Sequence, residues 1–82
     1  MNDAPLVIIA RNVHSARTAA RFSLDALAAR AEVSKGALVA LERSRGNPNL
    51  KTLVRVADAL GRSVTSLMED VREEPLVLVA AD

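Results

Sequence analysis

An all-α fold is what this sequence predicts: a compact bundle of five helices, with a short C-terminal strand after it. Three observations carry the prediction. Aliphatic residues recur three and four apart through most of the chain, as they do on helices with one apolar face. Ser23, Ser34, Asn49 and Ser63 each stand just before such a run, where the side chain can accept from the free N–H groups that open a helix. Half of the 82 residues are apolar, yet Phe22 is the only aromatic, so the core must be built of Leu, Val, Ile and Ala. A chain this short makes one small domain.

Pro5 suits the first turn of a helix, because its missing N–H has no partner to lose there. Ile9, Val13, Ala16 and Ala20 repeat at helical spacing and predict a first helix over residues 6–20. Leu6, Val7, Ile8 and Ile9 also make a good strand, so a short strand followed by a helix from Ile9 or Ala10 is the alternative. His14 falls on the polar side and reads as a solvated surface residue, since no second ligand type accompanies it. Ser23 then caps a helix over residues 24–31, with Leu24, Leu27, Ala28 and Ala31 on one face. Only Glu32, Val33 and Ser34 separate it from the next helix, residues 35–44, where Leu38, Leu41 and the marginal Ala37 turn inward. So short a link makes the two helices cross steeply, with a small residue, Ala28, at the crossing and Val33 as the apolar plug of the turn. Such a pair pushes the leading end of its second helix outward, where it can enter a DNA major groove. Asn47-Pro48-Asn49 is a turn signal. Beyond it Leu50, Leu53, Val56, Ala57 and Leu60 form the stripe of a fourth helix that Gly61 ends. Ser63 opens the last short helix, with Val64, Leu67 and Met68 inward.

Net charge is only +1, but its distribution is uneven. Residues 34–55 hold five cations (Lys35, Arg43, Arg45, Lys51, Arg55) against one acid, Glu42, whereas residues 69–82 hold five acids against Arg72. A basic middle and an acidic tail imply a polarised molecule with a phosphate-facing side. The lack of aromatic platforms argues against single-strand binding by base stacking. One histidine, no cysteine, no glycine-rich phosphate loop and no paired carboxylates beside a base leave no catalytic set, no metal site and no cofactor site. No apolar run approaches the ~20 residues of a membrane helix. The apolar residues 5–10 follow no basic residue, which argues against a secretory signal. A reducing cytoplasm is the expected setting, with the DNA-bound form in the nucleoid.

Residues 23–67, SLDALAARAEVSKGALVALERSRGNPNLKTLVRVADALGRSVTSL, resemble the helix-turn-helix of the lambda-repressor-like, or Xre, family of transcription regulators. The likeness extends more weakly back to Ile9. It is carried by the spacing of Leu27, Ala28, Val33, Leu38 and Leu41 and, more specifically, by NPNLKTLVRVADALG. The resemblance implies a lambda-repressor-like DNA-binding domain over residues 1–69, acting as a homodimer on a two-fold double-stranded site, most often as a repressor. Family position and outward direction place Lys35, Gly36, Val39 and Ala40 at the groove floor. Only Lys35 can hydrogen-bond a base edge, guanine O6 or N7 by preference; Val39 can touch a thymine methyl. Direct readout is thus thin, and specificity leans on DNA shape and dimer spacing. Ser34, Arg43, Arg45, Asn47 and Lys51 are the expected phosphate contacts, whereas Ser23 is better placed as a cap, and Arg55 and Arg62 default to a solvated face. In the family a basic residue of the first helix pairs with an acid late in the recognition helix; Arg17 and Glu42 hold the matching positions, in a structural role. Two positions depart from the family pattern. Glu32 stands where glycine is usual and a positive φ is needed, a strain of roughly 1 kcal/mol. Ser44 replaces the glycine that ends the recognition helix, so Gly46 is expected to take the left-handed turn instead and to displace the helix end.

The tail, residues 70–82, differs in kind. Glu73-Glu74-Pro75 breaks any helix, and residues 76–80 then read as a strand with both faces apolar. Leu76, Val77, Leu78 and Val79 would pair with their copies in a homodimer, which is the favoured outcome. They would otherwise pair with residues 6–9, or begin a further domain. Two rival functions follow: an antitoxin-type module that binds a protein partner through the tail as well as its own operator, and the DNA-reading head of a longer ligand-sensing regulator.

Overall fold

A computed structural model describes residues 4–70 of the protein. They form five helices in chain order: α1 (Ala4–Ala19), α2 (Leu24–Ala31), α3 (Lys35–Glu42), α4 (Leu50–Ala59) and α5 (Val64–Leu67). No strand occurs among the described residues; residues 6–9 belong to α1, so the strand alternative there is corrected. Among the described residues no strand offers a ladder partner, whereas a helix pairs its interior backbone groups within the segment and still turns Ile9 into the core. The tail strand, with Leu76, Val77, Leu78 and Val79, lies outside the described residues.

Each helix from α2 onward opens on the side chain that the sequence indicates. Ser23 Oγ accepts from the Ala26 amide, Ser34 Oγ from Ala37, Asn49 Oδ1 from Thr52 and Ser63 Oγ from Ser66, at 2.8–3.0 Å. The first four helices also end alike. Arg21, Glu32, Ser44 and Gly61 are left-handed, with φ of 64°, 60°, 58° and 72°. At each end the left-handed residue's N–H reaches back three residues and the next N–H reaches back five, as in Phe22 to the Arg17 carbonyl and Val33 to that of Ala28. Two carbonyl groups in the last turn of each of these four helices are thereby satisfied. Three of these four positions carry a side chain where glycine would be unstrained, each at about 1 kcal/mol. Glu32 is thus left-handed as its place in the turn requires. The α3 end differs from expectation. Ser44 itself turns left-handed and stops the helix at Glu42, and Gly46 (φ 68°) makes a second such turn rather than replacing the first.

The core joins all five helices: Ile9 and Val13 of α1, Leu27, Ala28 and Ala31 of α2, Leu38 and Leu41 of α3, Val56 and Ala57 of α4, and Leu67 of α5. Phe22, Val33, Leu53, Leu60 and Val64 pack against it half-buried. α1 lies on α3 and α5, α2 on α3 and α4, and α4 on α5. The inward assignment fails at four apolar positions. Leu50 is 67% exposed and Met68 53%, and Ala20 and Ala37 are also exposed. Each sits in the first turn or just past the last turn of its helix, where the stripe runs off the edge of the neighbouring helices.

Long side chains lock the ends of neighbouring helices. Asn12 Nδ2 donates to the Leu67 and Glu69 carbonyls, both at 2.7 Å, and so closes α5 onto α1. Arg30 Nε donates to the Ala59 carbonyl (3.2 Å) while its guanidinium lies 5.4 Å from the Phe22 ring centroid. Arg55 donates to the carbonyl of the left-handed Glu32 (3.1 Å), so it supports the turn between α2 and α3 rather than merely facing solvent. Replacing Leu38, which has no exposed surface, by alanine is expected to lower unfolding stability by about 2–5 kcal/mol, read as a drop in the urea midpoint with unchanged slope.

Candidate nucleic-acid interface

The surface begins with the periodicity of α3. Leu38 and Leu41 are sunk in the core, which leaves Lys35, Gly36 and Ala37 exposed and Val39 and Ala40 half-buried at the flanks. The leading turn of α3 therefore stands clear of the protein. A Cβ built on Gly36 meets no atom within 4 Å, so nothing inside the protein demands glycine there. The cations lie along both sides of this rod. On one side Arg45 and Asn47 line a cleft of about 210 Å³ together with Ala37, Ala40, Asn49 and Thr52. On the other, Arg43 lines a cleft of about 290 Å³ with His14, Leu24, Val39 and Glu42. Lys51 is exposed in the first turn of α4, one residue beyond Leu50. Ser34 is exposed too; its oxygen is engaged in capping, and its O–H remains a donor. Lys35 does not stand alone: its Nζ is 3.2 Å from Asp25 Oδ1, in the first turn of α2.

What aims α3 is a polar cluster at its other end. Glu42 accepts from Arg17 Nε (2.7 Å, Oε2) and from the second terminal nitrogen of the same guanidinium (3.1 Å, Oε1), a two-pronged pair between α1 and α3. His14 Nδ1 lies 3.0 Å from Oε1. Arg17 also donates to the Phe22 carbonyl (2.9 Å), so one guanidinium ties α3 to the corner between α1 and α2. The Glu42 side chain is only 8% exposed and that of Arg17 13%, against 57% for His14. Burial alone pushes the Glu42 carboxyl up; the hydrogen bonds and charges of Arg17 and His14 outweigh it and hold the group below its ordinary 4.5. The same bond to Glu42, against a smaller opposing effect of burial, raises the Arg17 guanidinium.

Lys35, Gly36, Val39 and Ala40 thus share the outer surface of one helix, flanked by Arg43, Arg45 and Asn47. Sequence reasoning missed three contacts. His14 sits at surface level as expected but touches Glu42. Arg55 grips the turn. Asp25 meets Lys35. All three bridge different helices, so no local spacing marks them; only the excess of cations near the turn hints that some have partners inside the protein.

An exposed helix held proud by a tight turn and lined by cations is a DNA-binding arrangement. A family model described as helix-turn-helix matches residues 13–67, more than half of the chain, and the chain belongs to that family, in its lambda-repressor-like, Xre-type form. It is a DNA-binding helix-turn-helix regulator. No curated protein and no solved structure matches the chain. Among the described residues no helix is long and apolar enough to cross a membrane, and no group of three metal-ligating side chains occurs.

Because Glu42 has a lower pKa folded than its ordinary value, the pair stabilises fully above pH 4.5, and that contribution is lost as pH falls through the folded value. In acid titrations Glu42→Gln should flatten the loss of stability below pH 4.5 relative to the parent protein. Arg17→Ala, which leaves a nearly buried carboxylate without its guanidinium and with only His14 beside it, should lower stability at pH 7 by about 3 kcal/mol.

Proposed function

We propose that the protein is a sequence-specific transcription repressor that binds double-stranded DNA as a homodimer. The α3 of each protomer enters the major groove, and the two half-sites lie about 34 Å apart on one face of the duplex. The observation that carries this reading is the exposed leading turn of α3: Lys35 and Gly36 point away from a core that holds Leu38 and Leu41, with Arg43 and Arg45 in clefts on opposite flanks. In this reading Lys35 donates to guanine O6 or N7, Val39 touches a thymine methyl, and Gly36 and Ala40 admit the helix deep into the groove. Ser34, Arg43, Arg45, Asn47 and Lys51 hold phosphates and set the register. One base-reading donor per protomer gives little discrimination, so two-fold pairing and DNA shape supply the rest. Occupation of a promoter by such a dimer represses without any further surface.

Selection from a random duplex pool, followed by titration at several salt concentrations, tests the proposal: a two-fold consensus is the expected result, and recovery of no preferred sequence contradicts it. Against that consensus, Lys35→Ala should relax preference at one base pair per half-site by about 1–3 kcal/mol, whereas Arg45→Ala should weaken all sequences alike and make the salt slope shallower by about 1. Gly36→Leu should leave the thermal midpoint unchanged or raise it, since open space surrounds the site, yet weaken DNA binding by about tenfold or more.

A further inference from the structure

We propose that Asp25 is a specificity-determining residue of the DNA-reading surface, acting by partial neutralisation of Lys35. This inference rests on the reading of α3 given above. Of Lys35, Gly36, Val39 and Ala40, only the lysine carries a hydrogen-bond donor on its side chain. That one donor group has an acid 3.2 Å away, across the turn, in the first turn of α2. The two side chains are 56% and 76% exposed, so the pair adds little to folding. Its consequence lies in what the lysine can contact.

An ammonium on a flexible stem is a point charge without directional preference, and phosphate oxygens on either strand compete with a base edge for it. Binding to arbitrary DNA comes almost wholly from such phosphate neutralisation. Asp25 changes the competition in two ways. It cancels much of the Lys35 charge, so the lysine gains less from a phosphate. It also places a carboxylate beside any phosphate that Lys35 approaches on that side, and the two anions repel. A guanine edge is neutral and offers two acceptors, so it meets no such repulsion, and the ammonium keeps two donors for it. Of the other described acids near α3, Glu42 is held by Arg17 and His14 at the far end, and Glu32 lies exposed in the turn. Among the described residues Asp25 is the carboxylate in contact with Lys35 at the leading end of α3, where it weakens arbitrary binding more than recognition.

The test compares Asp25→Asn with Asp58→Asn, which removes the same charge from the end of α4 remote from its Asn49 cap. Each is titrated at several salt concentrations against the duplex selected from the random pool and against a scrambled duplex. Asp25→Asn is expected to bind the scrambled duplex about tenfold tighter, with a salt slope steeper by about 1, and to gain less on the selected duplex, so that the specificity ratio falls. Asp58→Asn is expected to shift both duplexes equally and leave the ratio intact. In a Lys35→Ala background Asp25→Asn should behave like Asp58→Asn. Equal behaviour of the two single variants, or an unchanged effect of Asp25→Asn without Lys35, overturns the role of Asp25 while leaving the regulator reading standing. A selection that yields no preferred duplex overturns both.

Discussion

The pairing of Arg17 with Glu42 is the constraint on which the geometry of this small domain depends. Helix α3 has eight residues and only two of them, Leu38 and Leu41, are fully in the core. Two apolar anchors fix the depth of a short helix but leave its rotation and tilt loosely specified. A two-pronged guanidinium–carboxylate contact at 2.7 and 3.1 Å supplies the missing restraint, because it has direction as well as strength. The same guanidinium holds the Phe22 carbonyl, so the trailing end of α3 and the corner between α1 and α2 are set against one another by one side chain.

From that anchor the rest of the surface follows. With the trailing end pinned to α1 and the middle sunk against α2, the leading turn has nowhere to go but outward. The turn that connects it is held from the opposite side, where Arg55 of α4 donates to the Glu32 carbonyl. Glu32 adopts a left-handed conformation that a non-glycine residue resists, and the hydrogen bonds that close the α2 end compensate for the strain. The α2–α3 unit is thus gripped at its turn and at its trailing end by arginines that belong to neither helix. This is how a chain with one aromatic residue achieves a rigid presentation: polar cross-links between helix ends supplement an aliphatic core of modest size.

Much of the fold is legible in the sequence because the signals are local. Ser23, Ser34, Asn49 and Ser63 mark four helix starts through bonds to an amide three residues on, and the aliphatic spacing marks most inward faces. What is less legible is set by geometry across helices. Helix ends carried by Arg21 and Ser44 are hard to read because glycine, the usual marker of a left-handed residue, is absent there. Leu50 and Met68 look like core by spacing, yet they extend past the edges of their neighbours. In the candidate site the resemblance to the family brings Arg17 and Glu42 together, but not His14 with Glu42, nor Asp25 with Lys35, which lie ten residues apart on different helices. Contacts of that kind arise from the crossing angle of two helices, which no periodicity encodes.

The leading turn of α3 is proposed as the surface that meets DNA. Amide chemical-shift mapping of the full chain during titration with the selected duplex tests it most directly. The largest changes should fall at Ser34, Lys35, Gly36 and Ala37, with a second set at Arg45, Asn47 and Lys51, and the amides of α5 should scarcely move. Changes centred on α5 and the outer face of α1, with Lys35 and Gly36 unaffected, would contradict it.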